Sequence, residues 1–265
     1  MALQRDPSGA PRLIGDNTSE YADLRSRSAG NSSGGVLLLG GDDTIDGSTN
    51  NDLIFGNEGE DIIRGNVGND SLFGGKGKDA ILAGEGNDSI NGGQDGDVVF
   101  GESGNDVLVG GKGNDFLLSG NGNDTLVGGV GRDILLSGQE NGSFKIGGTN
   151  LFVLQAEAGV TDINNVDLIL NFRQTFDKIG LSDGLTVNDI VLENLTNVPL
   201  TVQFEVPQAA GSFLRADQLR PISALSSGTL IKIRNSGDLI GFVEGITPAL
   251  LQNSILNSIV SVQGF

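Results

Sequence analysis

The sequence contains no cysteine, no histidine and no tryptophan, and only 6 prolines among its 265 residues. Without cysteine there is no disulfide, no thiolate nucleophile and no thiolate-bound metal. Without histidine there is no Ser-His-Asp triad, no imidazole-bound zinc and no imidazole proton shuttle. Six prolines are too few for a collagen helix or a proline-rich linker. These absences exclude several large classes of enzyme and metal site.

Positive charge and long apolar runs are also scarce. Lysine and arginine number 16 against 34 aspartates and glutamates, which gives a formal net charge of −18. Such a chain is repelled by nucleic acid and by anionic lipid surfaces, and it attracts cations. No stretch approaches the ~18 apolar residues of a transmembrane helix. The first thirty residues lack the apolar core of a secretory signal peptide, which by itself indicates a cytosolic protein.

Glycine is abundant instead, with 43 residues, and much of it falls in a repeat. From Leu38 to Leu136 the chain passes through eleven nine-residue units without an insertion. The sixth position of every unit is aspartate, and the eighth position is always aliphatic. The aspartates are Asp43, Asp52, Asp61, Asp70, Asp79, Asp88, Asp97, Asp106, Asp115, Asp124 and Asp133. An uninterrupted period of this kind is typical of a solenoid.

The chemistry of one unit predicts the shape of the solenoid. Glycines and Asn-Asp pairs favour tight turns, and the three residues after each aspartate are too few for an independent strand. Such strands gain stability by stacking on one another, with the middle aliphatic residue inward. Turns on two sides predict a parallel β-roll with one coil per two units, so each aspartate lies over the aspartate of the next unit but one. Carboxylates stacked ~4.8 Å apart repel unless a cation lies between them, and oxygen ligands favour Ca²⁺.

Two units in particular, Gly110–Leu118 (GGKGNDFLL) and Gly128–Leu136 (GGVGRDILL), resemble the RTX (repeats-in-toxin) nonapeptide G-G-x-G-x-D-x-U-x. The resemblance implies a calcium-loaded β-roll in which the eleven aspartates bridge Ca²⁺ between coils. The aspartates form two columns, a first column with five gaps and a second with four, so we expect about nine calcium ions. The first column is Asp43, Asp61, Asp79, Asp97, Asp115 and Asp133, and the second is Asp52, Asp70, Asp88, Asp106 and Asp124.

The remaining sequence suggests three regions in an all-β protein. Residues 1–35 are predicted to be a flexible N-terminal segment. Residues 36–154 are predicted to be the roll with degenerate capping rungs, in which Phe144 and Val153 keep the inward phase. Residues 155–265 are predicted to be a mainly β C-terminal capping and secretion-signal region. This last region resembles the one that follows the repeats in bacterial, notably cyanobacterial, RTX proteins. That likeness implies type I secretion machinery as a partner and a secreted, extracellular or surface-associated protein, which reverses the cytosolic interpretation.

The leading interpretation of function is a non-catalytic extracellular calcium-binding protein with a structural or surface role. Two G-x-S-x-G matches, at 30–34 and 180–184, lack a histidine to activate the serine, so a hydrolase is disfavoured and no residue is assigned a catalytic role. The alternative is a recognition or adhesion module that binds a protein or glycan through the outer face of the roll.

One outer face is predicted to carry a continuous apolar strip. It is either covered by residues 155–265 or used for self-association through Phe100, Phe116, Leu118 and Leu136. The eight residues of this apolar strip are Ala80, Leu82, Val98, Phe100, Phe116, Leu118, Ile134 and Leu136.

Overall fold

A computed structural model describes residues 4–5, 13–25, 35–138, 148–182, 184–201 and 223–251. Within these ranges helical structure is limited to 3-10 turns at Ile163–Asn165 and Val187–Asp189 and a helical turn that begins at Pro248. The strands are β1 Gln4–Arg5, β2 Leu13–Ile14, β3 Tyr21–Asp23, β4 Val36–Leu37, β5 Thr44–Asp46, β6 Leu53–Glu58, β7 Ile62–Val67, β8 Ser71–Lys76, β9 Ala80–Glu85, β10 Ser89–Gln94, β11 Val98–Ser103, β12 Val107–Lys112, β13 Phe116–Leu118, β14 Thr125–Val130, β15 Ile134–Leu136, β16 Leu151–Leu154, β17 Leu168–Leu170, β18 Lys178–Leu181, β19 Ile190–Thr201, β20 Ser223–Ile233 and β21 Leu239–Glu244.

The strands form two sheets that face each other across the roll. The repeat strands alternate between the sheets, so successive units contribute to opposite sides. Within a sheet the repeat neighbours are parallel and come from every second unit, as where Ile90 pairs with Leu72 on one side and Leu108 on the other. The predicted parallel β-roll is therefore confirmed. The ten-stranded sheet has the order β1-β2-β4-β6-β8-β10-β12-β14-β16-β18, and the eleven-stranded sheet has the order β19-β20-β21-β17-β15-β13-β11-β9-β7-β5-β3.

The interior of the roll is built from the aliphatic residue at the eighth position of each unit. Ile81, Val99 and Leu117 are fully buried and belong to one continuous apolar cluster that runs along the roll axis. Because side chains alternate along a strand, one inward residue per three-residue strand is all that each rung contributes. Stacking many coils turns this small contribution into an extended core.

The turns between the sheets pack so closely that some positions exclude any side chain. Gly113 has φ of 136°, and a Cβ placed on it would lie 2.0 Å from the carbonyl oxygen of Asp95 in the preceding coil. Both the backbone conformation and the available space therefore require glycine there. The glycine period thus follows from the contact between stacked turns.

The N-terminal segment departs from the prediction of a flexible stretch over 1–35. Residues 13–14 pair with 36–37, and 21–23 pair with 44–46, so this segment adds a rung to each sheet. Ala22 is buried over Ile45 in the inward position. Residues 13–14 and 21–23 pair with the first strands of the roll although they carry no repeat motif. Strand pairing needs only an extended backbone and one inward residue small enough to fit. Residues 1–3, 6–12 and 26–34 lie outside the described residues.

The predicted boundary at 154/155 also falls too early. Strand β17 pairs in parallel with β15, and β18 with β16, so the roll continues beyond the repeats. The prediction that Val153 points inward is wrong: Phe152 stacks on Leu126 inside the core, whereas Val153 aligns with Val127. The coil from Leu126 to Phe152 is longer than the two-unit coils before it, because the nine-residue phase ends at Leu136. Phe144 lies outside the described residues.

The C-terminal region covers the apolar strip. Phe100, Phe116 and Leu118 are buried in a second apolar cluster that includes Leu168 and Phe242. Of the eight strip residues seven are buried, and Leu82 packs partly buried against the same cluster. The strip is therefore buried within the single chain, and C-terminal residues of β17, β20 and β21 share its cluster. The antiparallel strands β19, β20 and β21 extend the eleven-stranded sheet beyond β17.

Candidate metal centre

The repeat aspartates form two buried columns along the two lines of turns. Within each column the backbone N–H of one aspartate donates a hydrogen bond to Oδ1 of the aspartate one coil later, and all eleven side chains are buried. The donor-to-acceptor distances in the first column are 2.8 Å for Asp43 to Asp61, 2.8 Å for Asp61 to Asp79, 2.8 Å for Asp79 to Asp97, 2.8 Å for Asp97 to Asp115 and 2.9 Å for Asp115 to Asp133. Those in the second column are 2.7 Å for Asp52 to Asp70, 2.7 Å for Asp70 to Asp88, 2.9 Å for Asp88 to Asp106 and 3.0 Å for Asp106 to Asp124.

The second carboxylate oxygen has no such partner in most units. In ten of the eleven repeat aspartates Oδ2 is buried and accepts no hydrogen bond from the described residues. The exception is Asp52, whose Oδ2 accepts the N–H of Ser48 at 2.6 Å. A buried carboxylate oxygen without a donor or a cation is costly, by several kcal/mol for a charged group. The regular recurrence of this cost indicates that a further group completes the site.

In six of these ten units the unpartnered oxygen lies beside a first-position glycine that also faces a backbone carbonyl of the next coil. A Cβ on Gly74 would lie 2.3 Å from Oδ2 of Asp79 and 2.4 Å from the carbonyl oxygen of Gly92. The same arrangement recurs at Gly56 and Gly65. Glycine at the first position of the unit therefore leaves open a small space between a carboxylate oxygen and a carbonyl oxygen.

This donor set suits a hard cation. Within the described ranges no three acidic side chains gather at one point, so a bound ion would be held by carboxylates together with turn carbonyls. Oxygen donors of these two kinds are the ligands that Ca²⁺ takes in proteins. The residues present therefore fit calcium, with the aspartates supplying negative charge and the glycine turns supplying carbonyl oxygens.

The electrostatics of the columns agree with a requirement for positive charge. Burial, together with the neighbouring carboxylates of Asp79 and Asp115, raises the pKa of Asp97 to about 9, against the lowering effect of a backbone hydrogen bond. Burial likewise raises the pKa of Asp79 to about 8 and that of Asp61 to about 6. Without a cation, burial favours the neutral, protonated form of these carboxyl groups.

Four residues outside the repeats join the columns, and the sequence analysis assigned none of them. Glu20 donates its N–H to Oδ1 of Asp43 at 2.7 Å and so precedes the first column. Asp167 follows that column, because the N–H of Asp133 donates to its Oδ1 at 3.0 Å. Asn150 and Asp177 follow the second column at 3.1 Å per contact. In the sequence, each of these four residues directly precedes a strand. None of them stands in the nine-residue period that marks the repeat aspartates.

The second column ends in an ion pair. Arg173 lies next to Asp177, with a guanidinium nitrogen 2.6 Å from Oδ1 and Nε donating to Oδ2 at 3.1 Å. A guanidinium nitrogen of Arg173 also donates to the carbonyl oxygen of Gly148 at 2.9 Å. Arginine therefore contacts the same two types of oxygen, carboxylate and turn carbonyl, that flank the spaces between the repeats.

The serine of the G-x-S-x-G match at 180–184 lies in a turn. Ser182 follows β18, is buried, and accepts the N–H of Leu185 at its carbonyl in a turn. The match at 30–34 lies outside the described residues. As to membranes, none of the helical segments that the structure describes has the length and apolar character needed to span a bilayer.

The chain is similar to a known protein family and to a solved structure. No curated protein matches the sequence. Among solved structures, the crystal structure of the extracellular lipase LipA from Serratia marcescens is 15% identical, covers 91% of this chain and has a TM-score of 0.26. The chain spans only 42% of that lipase. The family described as the RTX calcium-binding nonapeptide repeat (4 copies) matches at residues 39–72, 64–99, 73–108 and 100–135. Over residues 39–135 this chain is therefore made of RTX calcium-binding nonapeptide repeats.

Proposed function

We propose that the protein is a non-catalytic, extracellular calcium-binding protein with a structural or surface role, whose roll folds when the ion binds. The observation that carries this proposal is the row of ten buried, unpartnered Oδ2 atoms along the two columns. A divalent cation between coils would neutralise paired carboxylates at the point where no donor reaches them. The family match to calcium-binding repeats supports the choice of calcium.

The eleven repeat aspartates would hold the ions, together with carbonyls of the glycine turns. Five gaps in the first column and four in the second correspond to about nine ions within the repeats. Calcium would supply positive charge, and the chain would supply the oxygen ligands. Because each inner aspartate borders two gaps, binding at one site orders a ligand of the next, and we expect binding to be cooperative.

Folding and binding would be coupled because the metal-free roll is weak. Its glycine-rich turns lose much conformational entropy on folding, and its columns place uncompensated carboxylates in the interior. An ion that binds only the folded chain adds stability by mass action. Extracellular calcium modules bind with Kd of about 10⁻⁴–10⁻³ M, so the chain would remain unfolded at cytosolic calcium and fold outside the cell.

Export through type I secretion machinery, with the signal in residues 155–265, belongs to the same proposal. Its support is the resemblance of this region to the one that follows the repeats in RTX proteins.

The second candidate function, recognition of a protein or glycan, is favoured by one observation. Phe55 and Phe73 stack with centroids 4.9 Å apart and are only half-buried on the outer face of the ten-stranded sheet. Loss of binding to a glycan or protein panel in a F55S/F73S variant that still binds calcium would favour recognition.

The main proposal is tested by calcium titration followed by far-UV circular dichroism. We expect the strand signal to appear with calcium and to vanish in chelator. Asp97→Asn should raise the calcium midpoint about tenfold or more, on the scale of losses at coordinating shells. Asp95→Asn is the matched control, because it removes the same charge from an exposed position on the same turn. A complete strand signal in excess chelator, or equal shifts for the two variants, would contradict the proposal.

A further inference from the structure

The first column continues past the last repeat into the C-terminal region. The N–H of Asp133 donates to Oδ1 of Asp167 at 3.0 Å, the same contact that joins each pair of repeat aspartates. The two residues are 34 apart in sequence, so no repeat period relates them. Asp167 directly precedes β17, and β17 pairs in parallel with β15. The C-terminal region therefore places a carboxylate where the next repeat aspartate would stand.

The gap between Asp133 and Asp167 has the same unsatisfied acceptor as the gaps within the repeats. Asp133 is 0% exposed, and its Oδ2 accepts no hydrogen bond from the described residues. Asp167 is 6% exposed. Burial raises the pKa of both carboxyls, and the charge of Glu157 raises them further. Two buried carboxylates are thus consecutive along the column, and the charge of Glu157 acts on both.

A cavity that Asp167 lines adjoins this gap. Its other polar lining residues are Gln155, Glu157 and Asn165, and the rest of the lining is Gly129, Gly131, Val160, Val166, Leu239 and Ile240. Glu157 is fixed there because its Oε1 accepts the N–H of Gly131 at 2.6 Å. Among the described residues that line the cavity there is no lysine or arginine. Arg132, which precedes Asp133 in the sequence, interacts electrostatically with Asp162.

The end of the second column shows the alternative solution. There the terminal carboxylate, Asp177, has both oxygens engaged by Arg173, which also donates to a turn carbonyl. The side chain of Asp177 is fully buried, yet it leaves no unpartnered oxygen. A built-in guanidinium therefore closes one column, and the other column has no corresponding cation among the described residues around Asp133 and Asp167.

We propose that the first column ends in a divalent-cation site between Asp133 and Asp167, with Glu157 as the supporting carboxylate. This inference rests on the proposed function, since it takes calcium to be the ion of the repeats. Its consequence is specific to this chain: the bound ion connects the repeat roll to the C-terminal strands β17 and β21. Docking of the strands that cover the apolar strip then depends on calcium at this one position.

The test counts bound calcium on the full-length chain and measures amide hydrogen exchange in the same samples. Equilibrium dialysis with labelled calcium gives the number of ions, and hydrogen exchange reports β17 and β21 separately from the repeat strands. Asp167→Asn should bind one ion fewer per chain, with faster exchange in β17 and β21 and unchanged protection over β7–β13. Glu157→Gln should lower the affinity for one ion about tenfold, as the loss of a supporting group around a metal site does.

The control and the contradicting outcomes are distinct. Glu193→Gln removes a carboxylate from β19 whose side chain is 46% exposed and paired with Lys232, so it should change neither readout. An unchanged ion count together with unchanged exchange in Asp167→Asn overturns the inference while leaving calcium binding by the repeats intact. If Asp167→Asn fails to fold, an unaltered binding curve for Glu157→Gln overturns it. A wild-type chain that binds no calcium defeats the proposed function itself.

Discussion

Oδ1 of Asp97 accepts the backbone N–H of Asp79 at 2.8 Å, while Oδ2 of Asp97 remains buried without a partner. The two oxygens of one side chain thus have different tasks. One oxygen fixes the vertical register of consecutive coils, and the other stays available at the gap. Register is therefore set by the polypeptide alone, whereas charge balance depends on something added to it.

Inner aspartates should matter more than terminal ones. Asp97 has repeat neighbours in both directions, whereas Asp52 begins the second column and its Oδ2 already accepts the N–H of Ser48. We expect Asp97→Asn to raise the calcium midpoint about tenfold or more, and Asp52→Asn to raise it less. Circular dichroism during calcium titration compares the two variants. A larger shift for Asp52→Asn would contradict the shared-ligand arrangement.

Acid should partly substitute for calcium. Burial raises the pKa of Asp97 to about 9 and of Asp106 to about 8, against about 3.9 in an unfolded chain. The metal-free folded state therefore binds more protons than the unfolded state. Its stability is greatest below pH ~4 and declines as pH rises through the range of the raised pKa values. In chelator the strand signal should be stronger at pH 5 than at pH 9.

The same proton linkage predicts how calcium affinity varies with pH. Calcium must displace protons from the columns, so the calcium midpoint should fall as pH rises from 5 to 9, with proton release measurable in weak buffer. Calorimetry in two buffers of different ionisation enthalpy measures that release. A midpoint that rises with pH would show that the aspartates do not take the ion.

The first-position glycine should control the metal space directly. In Gly74→Ala the new methyl group would meet Oδ2 of Asp79 and the carbonyl oxygen of Gly92 at 2.3 and 2.4 Å. We expect a marked loss of calcium affinity. Gly159→Ala is the control: its φ is 84° and nothing lies within 4 Å, so it should cost about 1–2 kcal/mol of backbone strain and leave binding unchanged. Titration calorimetry separates the two effects.

The cover over the apolar strip should be sensitive to its aromatic centre. Phe116 is buried against Phe100, with ring centroids 6.1 Å apart, and in the cluster that includes Leu168. Phe116→Ala should lower the free energy of unfolding in saturating calcium by about 3–5 kcal/mol. Phe176→Ala, at a residue that is 55% exposed, should have little effect. Denaturant unfolding measures both, and limited proteolysis shows whether 155–251 is released first.

The arginine that ends the second column should stabilise the fold at any calcium concentration. Arg173→Met leaves the fully buried carboxylate of Asp177 without its cation, and breaking a buried pair costs about 3–5 kcal/mol. Lys76→Met is the comparison, because Lys76 and Glu58 form an exposed pair, and an exposed pair contributes little to stability. Chemical unfolding in saturating calcium tests both variants. Equal losses of unfolding free energy in the two variants would show that Arg173 does not act as an internal counter-charge for Asp177.

The repeats could be predicted from the sequence because their period is a physical constraint at every position. The turn contact at Gly113 requires glycine, the core requires an aliphatic residue such as Leu117, and the column requires aspartate. Three independent requirements with one period specify both the fold and the two columns. The same reasoning predicted that the apolar strip would need a cover.

Outside the repeats, the inward residues and the column carboxylates do not recur at a fixed spacing. No period in the sequence therefore identifies them. Glu20, Asp167 and Asp177 take positions in the columns through strand pairing across unequal loops. The inward residue Phe152 was mistaken for its neighbour Val153 because the coil that leads to it is not a whole number of repeat units long. When the nine-residue period is continued past Leu136, it selects Val153 as the inward residue, one position after the residue that points inward.

The alternation of units between the two sheets restricts how this protein can change length by gene duplication. Gain or loss of one nine-residue unit would transfer every later strand to the opposite sheet, because parallel neighbours come from every second unit. If the change fell between Leu118 and β17, Phe116 and Leu118 would be separated from the C-terminal residues that share their cluster. Gain or loss of two units preserves both the columns and the covered face. Homologues that retain this C-terminal cover should therefore differ in repeat length by whole coils, that is, by even numbers of units.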